Sequence, residues 1–212
     1  MASSEDFALM SQPSHLLNPS TPNSVVLSSV LNPSANLLTR GGLILGGTFF
    51  LALLAQIAIP VPGSPVPVTG QTLGVLLLGS VYGAELGFTT FSFYLLLAIA
   101  GAPIFASGAH GLARLSGPTG GYLVGMLIAS ALTGALASCN WDQKILTLIP
   151  TLILGEIVIF GVGLLWLHHS TAQGWSWTLS NGFSPFIIGE ILKIAIASIT
   201  LLTVRRFAAK RK

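Results

Sequence analysis

Charge is what this sequence has least of. Asp, Glu, Lys and Arg make up 7% of the 212 residues, against 52% for the hydrophobic types. A soluble domain carries about 25% charged residues. So small a fraction cannot cover a water-facing surface, which excludes an ordinary soluble globular domain. The net charge of +3 does not make a nucleic-acid surface, because most of the basic residues sit in one terminal stretch, RRFAAKRK, residues 205–212. A basic run directly after an apolar helix reads as an anchor beside anionic lipid.

Cysteine is nearly absent as well. A lone Cys139 excludes an intramolecular disulfide. No His or Asn partner pattern marks it as a nucleophile. The sequence has no GxxxxGK[ST] motif, so the glycine-rich GPTGG is not a P-loop and the chain is not expected to hydrolyse ATP. Residues 1–39 contain no Lys or Arg. That excludes both the basic n-region of a secretory signal and the arginines of a transit peptide. This stretch is rich in Ser, Asn and Pro and reads as a mostly disordered N-terminal extension in the cytoplasm.

What the sequence does have is long apolar runs. Crossing a bilayer takes about 20 apolar residues. The candidates are 41–59, 72–84, 86–102, 122–138, 145–167 and 185–204, of which the second is short. They predict an all-α membrane protein with six transmembrane helices, multi-pass in the plasma membrane. Arg40, Lys144 and the terminal tail fall on one side and only Arg114 on the other. The positive-inside rule then places both termini in the cytoplasm. The domain organisation expected is an extension at 1–39, a membrane domain at 40–206 and a basic tail at 207–212. Small residues recur every fourth position at Gly42/Gly46, Gly79/Gly83/Gly87 and Gly121/Gly125/Ala129. Such steps let helices approach closely in lipid. Gly42 and Gly46 are also the candidate docking face for a partner membrane protein.

Two ionisable groups stand inside the last run, in PFIIGEILKIA. Glu190 and Lys193 are three positions apart and share a helix face. Each costs roughly 2.5–3.5 kcal/mol at the centre of a membrane helix, so an intramembrane pair is read first as a functional site. In the predicted topology they lie about 8 Å and about 12 Å below the outer end of their helix. The proline-rich loop PVPGSPVPVTGQ, the glycine-rich loop PIFASGAHGLARLSGPTGG, Trp175 and Trp177 belong to the same outer side. A buried ammonium suits a carboxylate, and a buried carboxylate suits N–H donors. A ligand with an acid at one end and a urea or amide at the other satisfies both, against apolar walls from Phe93, Tyr94, Phe105 and Tyr122.

Other residues carry weaker signals. Glu156 sits mid-span and either lines the pocket floor or is protonated and hydrogen-bonded to a neighbouring helix; the second is favoured, because a lone buried carboxyl usually neutralises. His168 and His169 are adjacent at a helix end and read as interfacial; no metal site is expected. Ser107 and His110 lack an orienting acid for hydrolase chemistry. An intramembrane enzyme using Glu156, Ser107 or His110, or a carrier for another small carboxylic acid, is the alternative.

Three segments, VPVTGQTLGVLLLGSVYG, YLLLAIAGAPIFASGAHGLARLSGPTGGYLVGMLIA and PFIIGEILK, closely resemble the BioY family. These are the biotin-specific substrate-binding (S) components of energy-coupling factor (ECF) transporters. The resemblance runs from Arg40 to Arg206, and GPTGGYL is its most specific part. It implies the S-component fold, biotin as transported substrate with no cofactor, and three kinds of partner: a transmembrane coupling subunit, two ATP-binding subunits and the lipid bilayer. By position, Lys193 matches the family's carboxylate-binding lysine. Glu190 stands where the family usually has an aspartate that takes the ureido N–H groups. Gln71, Tyr94, Gly120 and Tyr122 complete the expected substrate-binding set. Glu85 departs from the family, which usually has a basic residue there.

Overall fold

The computed structural model describes residues 37–209. The expectations for residues 1–36 and for the end of the basic tail lie outside the described residues. The chain runs α1 (Leu37–Gln56), β1 (Ala58–Ile59), β2 (Val68–Thr69), α2 (Gln71–Ile99), a 3₁₀ turn (Ala106–Gly108) and α3 (Leu112–Ser116). It continues as α4 (Gly120–Ser138), α5 (Ile145–Thr171), α6 (Trp175–Gly182), a second 3₁₀ turn (Ser184–Phe186) and α7 (Ile187–Ala209). Five stretches are long and apolar enough to cross a membrane: α1, α2, α4, α5 and the stretch Trp175–Phe207 containing α6 and α7. Long helices follow from the solvent, since lipid offers the backbone no hydrogen-bond partner and a helix supplies its own.

α2 is not one straight rod. Gly83 has φ 79° and ψ 174°, a conformation outside any helix and open essentially to glycine alone. The Gln71 and Tyr94 side chains, at opposite ends of this helix, are hydrogen-bonded at 2.9 Å. A continuous helix would hold them about 35 Å apart. A Cβ on Gly87 would stand 3.3 Å from the Gly79 Cα. The chain therefore folds back at Gly83 into two antiparallel arms. The Gly79/Gly83/Gly87 spacing, read above as one packing face, is the inside of this hairpin.

Small residues also set the contacts with α4. A side chain on Gly79 would strike Thr133 and Ser130 of α4 at 2.2 Å and 2.6 Å. One on Gly125 of α4 would strike the Ile159 backbone of α5 at 2.8 Å. α4 is thus wedged between α2 and α5 at backbone distance, as membrane helix packing favours. Gly42 and Gly46 differ: nothing lies within 4 Å of a Cβ placed on either. They share α1 with exposed Leu45, Phe49 and Leu53.

Two stretches expected to be otherwise have local structure. α1 ends at Gln56, three residues short of the predicted 59, because Ala58–Ile59 pairs antiparallel with Val68–Thr69. The segment 175–182, expected to be loop, forms α6. At the end of the bundle away from the β-hairpin, Arg40 pairs with Glu85. Arg205 of α7 pairs there with Asp142, which is buried in the α4–α5 turn. The unusual Glu85 thus has a partner one helix away.

Candidate binding pocket

The β-hairpin, the 106–119 loop and α6 crowd one end of the bundle. Beneath them lies a cavity that opens at this end, with about 630 Å³ of empty space counted out into its open mouth. Its wall is mainly apolar: Val66, Pro67, Phe105, Leu123, Met126, Ile159, Phe160 and Phe186, with the Tyr122 ring among them. The polar groups are Thr69, Gln71, Thr72, Arg114, Thr119, Glu190 and Lys193.

Lys193 and Glu190 meet as predicted from their spacing. Lys193 Nζ donates to Glu190 Oε1 at 2.8 Å, and the two side chains are 12% and 9% exposed. The contact is not a pair but a ring of three. Lys193 Nζ also donates to Thr72 Oγ1 at 2.9 Å, and Thr72 Oγ1 donates to Glu190 Oε2 at 2.8 Å. Thr72 reaches across from α2, so two helices hold the charges. A carboxylate and an ammonium taken out of water need such added bonds, because Coulomb attraction alone does not repay their desolvation.

The remaining expected residues fall in different places. Gln71 and Tyr122 line the cavity. Tyr122 also donates its hydroxyl hydrogen to the Gly182 carbonyl at 2.8 Å, tying α4 to the end of α6. Tyr94 is completely buried and lies behind the wall. It accepts from Gln71 Nε2 and donates to the Ile104 carbonyl at 2.8 Å, so it orients Gln71 and the loop beside Phe105. Gly120 is not on the wall. A Cβ there would lie 1.7 Å from the Leu115 carbonyl oxygen, so glycine lets α3 fold onto α4 beside Thr119. Phe93, Trp175 and Trp177 do not line the cavity either; Trp175 stacks on His168 with ring centroids 4.1 Å apart. Ser107 and His110 make no hydrogen bond to one another, and no group of three metal-ligating side chains assembles among the described residues.

Sequence reasoning missed several participants. Phe160 and Phe186 supply the aromatic wall, and Tyr122–Phe160 and Phe160–Phe186 meet edge to face at 5.9 Å and 5.8 Å. Arg114 stands at the mouth as the lining cation besides Lys193. Gln56 bonds the Phe105 carbonyl and the Gly108 N–H, at 3.2 Å and 3.0 Å, and so pins the loop over the pocket to α1. Thr72 gave no signal of its own in the sequence; only its bonds to Lys193 and Glu190 across the helix contact single it out.

The arrangement can hold an acid at Lys193, N–H donors at Glu190 and a hydrophobic ring system between them. The BioY family model matches residues 29–210. Biotin transporter BioY2 of Lactococcus lactis subsp. cremoris is 38% identical over 156 residues, covering 72% of this chain and 82% of that one. The probable biotin transporter BioY of Pyrococcus horikoshii is 36% identical over 145 residues, covering 68% and 83%. A crystal structure of the S-component for biotin from an ECF-type ABC transporter superposes with a TM-score of 0.73 at 26% identity, covering 80% of this chain and 92% of that one. The chain belongs to the BioY family.

Proposed function

We propose that this protein captures biotin from outside the cell as the S component of an ECF-type transporter in the plasma membrane. The observation that carries the reading is the Lys193–Glu190–Thr72 ring on the wall of an otherwise apolar cavity. Biotin presents a carboxylate for Lys193, ureido N–H groups for Glu190 and an apolar ring system for the Phe160, Phe186 and Tyr122 wall. It takes up no cofactor, and the chain is a transport subunit rather than an enzyme.

The topology we infer has six crossings. Its support is the fold-back at Gly83, which turns one long apolar stretch into two arms. Six crossings with the basic residues of the terminal side inside leave both termini cytoplasmic and open the pocket outward. A P-loop motif is absent from the sequence, so ATP hydrolysis falls to two ATP-binding subunits, joined through a transmembrane coupling subunit. The open surface around Gly42 and Gly46 on α1 supports docking of the coupling subunit there.

Equilibrium binding of biotin to the detergent-purified chain tests the reading. Stoichiometric binding without turnover is the expected result. Absence of binding, or conversion of biotin, would sink it.

A further inference from the structure

Among the described residues, Glu156 is the one buried carboxyl without an ion pair. It lies on the buried stripe of α5, between Leu152 and Ile159, where packing calls for an apolar side chain. Leu148 and Leu152 of α5 share a buried cluster with Ala197 and Leu201 of α7. One helical turn further along each of these antiparallel neighbours come Glu156 and Lys193. Ile159 and Phe160, the next turn of α5, line the cavity. Glu156 therefore sits one turn beneath the pocket floor, at the level of the charged ring.

Its surroundings are unusual for a carboxyl. Neither oxygen has a hydrogen-bond donor from any protein group. As whole residues, Glu156 and Glu190 are each 7% exposed. From α7 its charged neighbours are the carboxyl of Glu190 and the ammonium of Lys193. α2 and α4 present Leu76 and Thr133 to the neighbouring Gly155, and neither titrates. Two carboxyl groups in contact are both acceptors when ionised, and like charges so close do not both stay ionised in a dry site. A proton held between them would relieve that repulsion and supply the missing hydrogen bond.

We infer that Glu156 is a positioning residue of the pocket, sharing one proton with Glu190, and that this proton makes biotin capture pH-dependent. This rests on the biotin reading above. With the proton in place the three groups carry one positive and one negative charge, a neutral set that accepts an anionic ligand at Lys193. Glu156 then donates to Glu190, whose oxygens already bond Lys193 and Thr72. This fixes Glu190 in a single orientation toward the ligand. When the proton leaves, the trio carries a net negative charge and opposes a carboxylate. Affinity is therefore full below the pH of that loss and falls as pH rises through it, by at most about tenfold per pH unit for one linked proton.

The test compares biotin affinity of the full chain with E156Q and E156L on both sides of neutrality. E156L should bind about tenfold or more weakly, because Glu190 loses its donor. E156Q, whose amide donates at every pH, should restore binding and flatten the profile at alkaline pH. The difference between the wild-type and E156Q profiles reports the shared proton. Infrared spectra of the ligand-free protein give a second readout that needs neither variant to bind. Wild type should show a carboxylic-acid carbonyl band that shifts in heavy water, and E156Q should lack it. Parallel pH profiles, or no acid band, would overturn the inference. Failure of wild type to bind biotin would overturn the transport reading instead, with the infrared band still deciding the proton.

Discussion

At the residue scale, the biotin reading is tested most directly at Lys193. It is the basic residue within the pocket's charged ring, so Lys193→Met should weaken biotin far more than a neutral biotin ester or amide. A selectivity change of about tenfold or more follows from losing a hydrogen bond to a charged group. Parallel titration of acid and ester measures it, and equal losses would remove the carboxylate role. Glu190→Gln keeps one acceptor oxygen but presents N–H donors to a ligand that also donates. We expect a loss of about 1.5–3 kcal/mol, roughly 10- to 150-fold in affinity. Glu190→Asp restores the family's usual residue and should keep binding. If Glu190→Gln binds as tightly as wild type, Glu190 serves only to partner Lys193. Both charges were legible in the sequence because an intramembrane ionisable residue stands out against apolar neighbours. Thr72 and Phe186 were not, since a threonine or a phenylalanine in a membrane helix is common and only the tertiary approach of α2 to α7 gives Thr72 its two bonds.

α2 shows what hydropathy patterning can and cannot read. Hydropathy divides this region near Glu85, and the chain breaks close by, at Gly83. The reason lies in backbone geometry that hydropathy does not carry. At φ 79° and ψ 174° an added Cβ is strained, at a cost of about 1–3 kcal/mol. α4 also packs directly on this turn: a Cβ on Gly134 of α4 would lie 2.4 Å from Gly83 and Ala84 backbone atoms. Gly83→Ala should therefore lower the Tm of the purified protein by several degrees. It should also weaken biotin binding, because the arms it joins carry Thr72 and Gln71 on one side and Tyr94 on the other. An unchanged Tm would show that the hairpin tolerates an ordinary residue and that the strain argument is wrong. α6 reads as a loop in the sequence for a related reason. Its eight residues, Trp175–Gly182, are too few for periodicity to separate from a polar connection. Ser64 from the β1–β2 loop fixes its far end by donating to the Asn181 carbonyl at 2.7 Å.

At the scale of the whole molecule, the two ends of the bundle differ in chemistry, and that difference predicts orientation. Among the described residues, Arg114 is the one Lys or Arg at the pocket end besides Lys193. The opposite end carries Arg40, Lys144, Arg205 and Arg206. Arg40 and Arg205 are paired there with Glu85 and Asp142. The pairing does not cancel the bias, because orientation follows Lys and Arg counts and acidic residues contribute little. That end should face the cytoplasm. Cys139 lies at it, exposed in the α4–α5 turn, and gives a native probe. In intact cells an impermeant thiol reagent should leave Cys139 unmodified until the membrane is permeabilised. Ser180, exposed on α6 at the pocket end, supplies the converse probe. As Ser180→Cys in a Cys139→Ser background it should label without permeabilisation, and bound biotin should survive the labelling because Ser180 does not line the cavity. Labelling of Cys139 from outside, with Ser180→Cys protected, would reverse the orientation. The pocket would then open inward, and capture from outside would fail even if biotin bound to the purified protein.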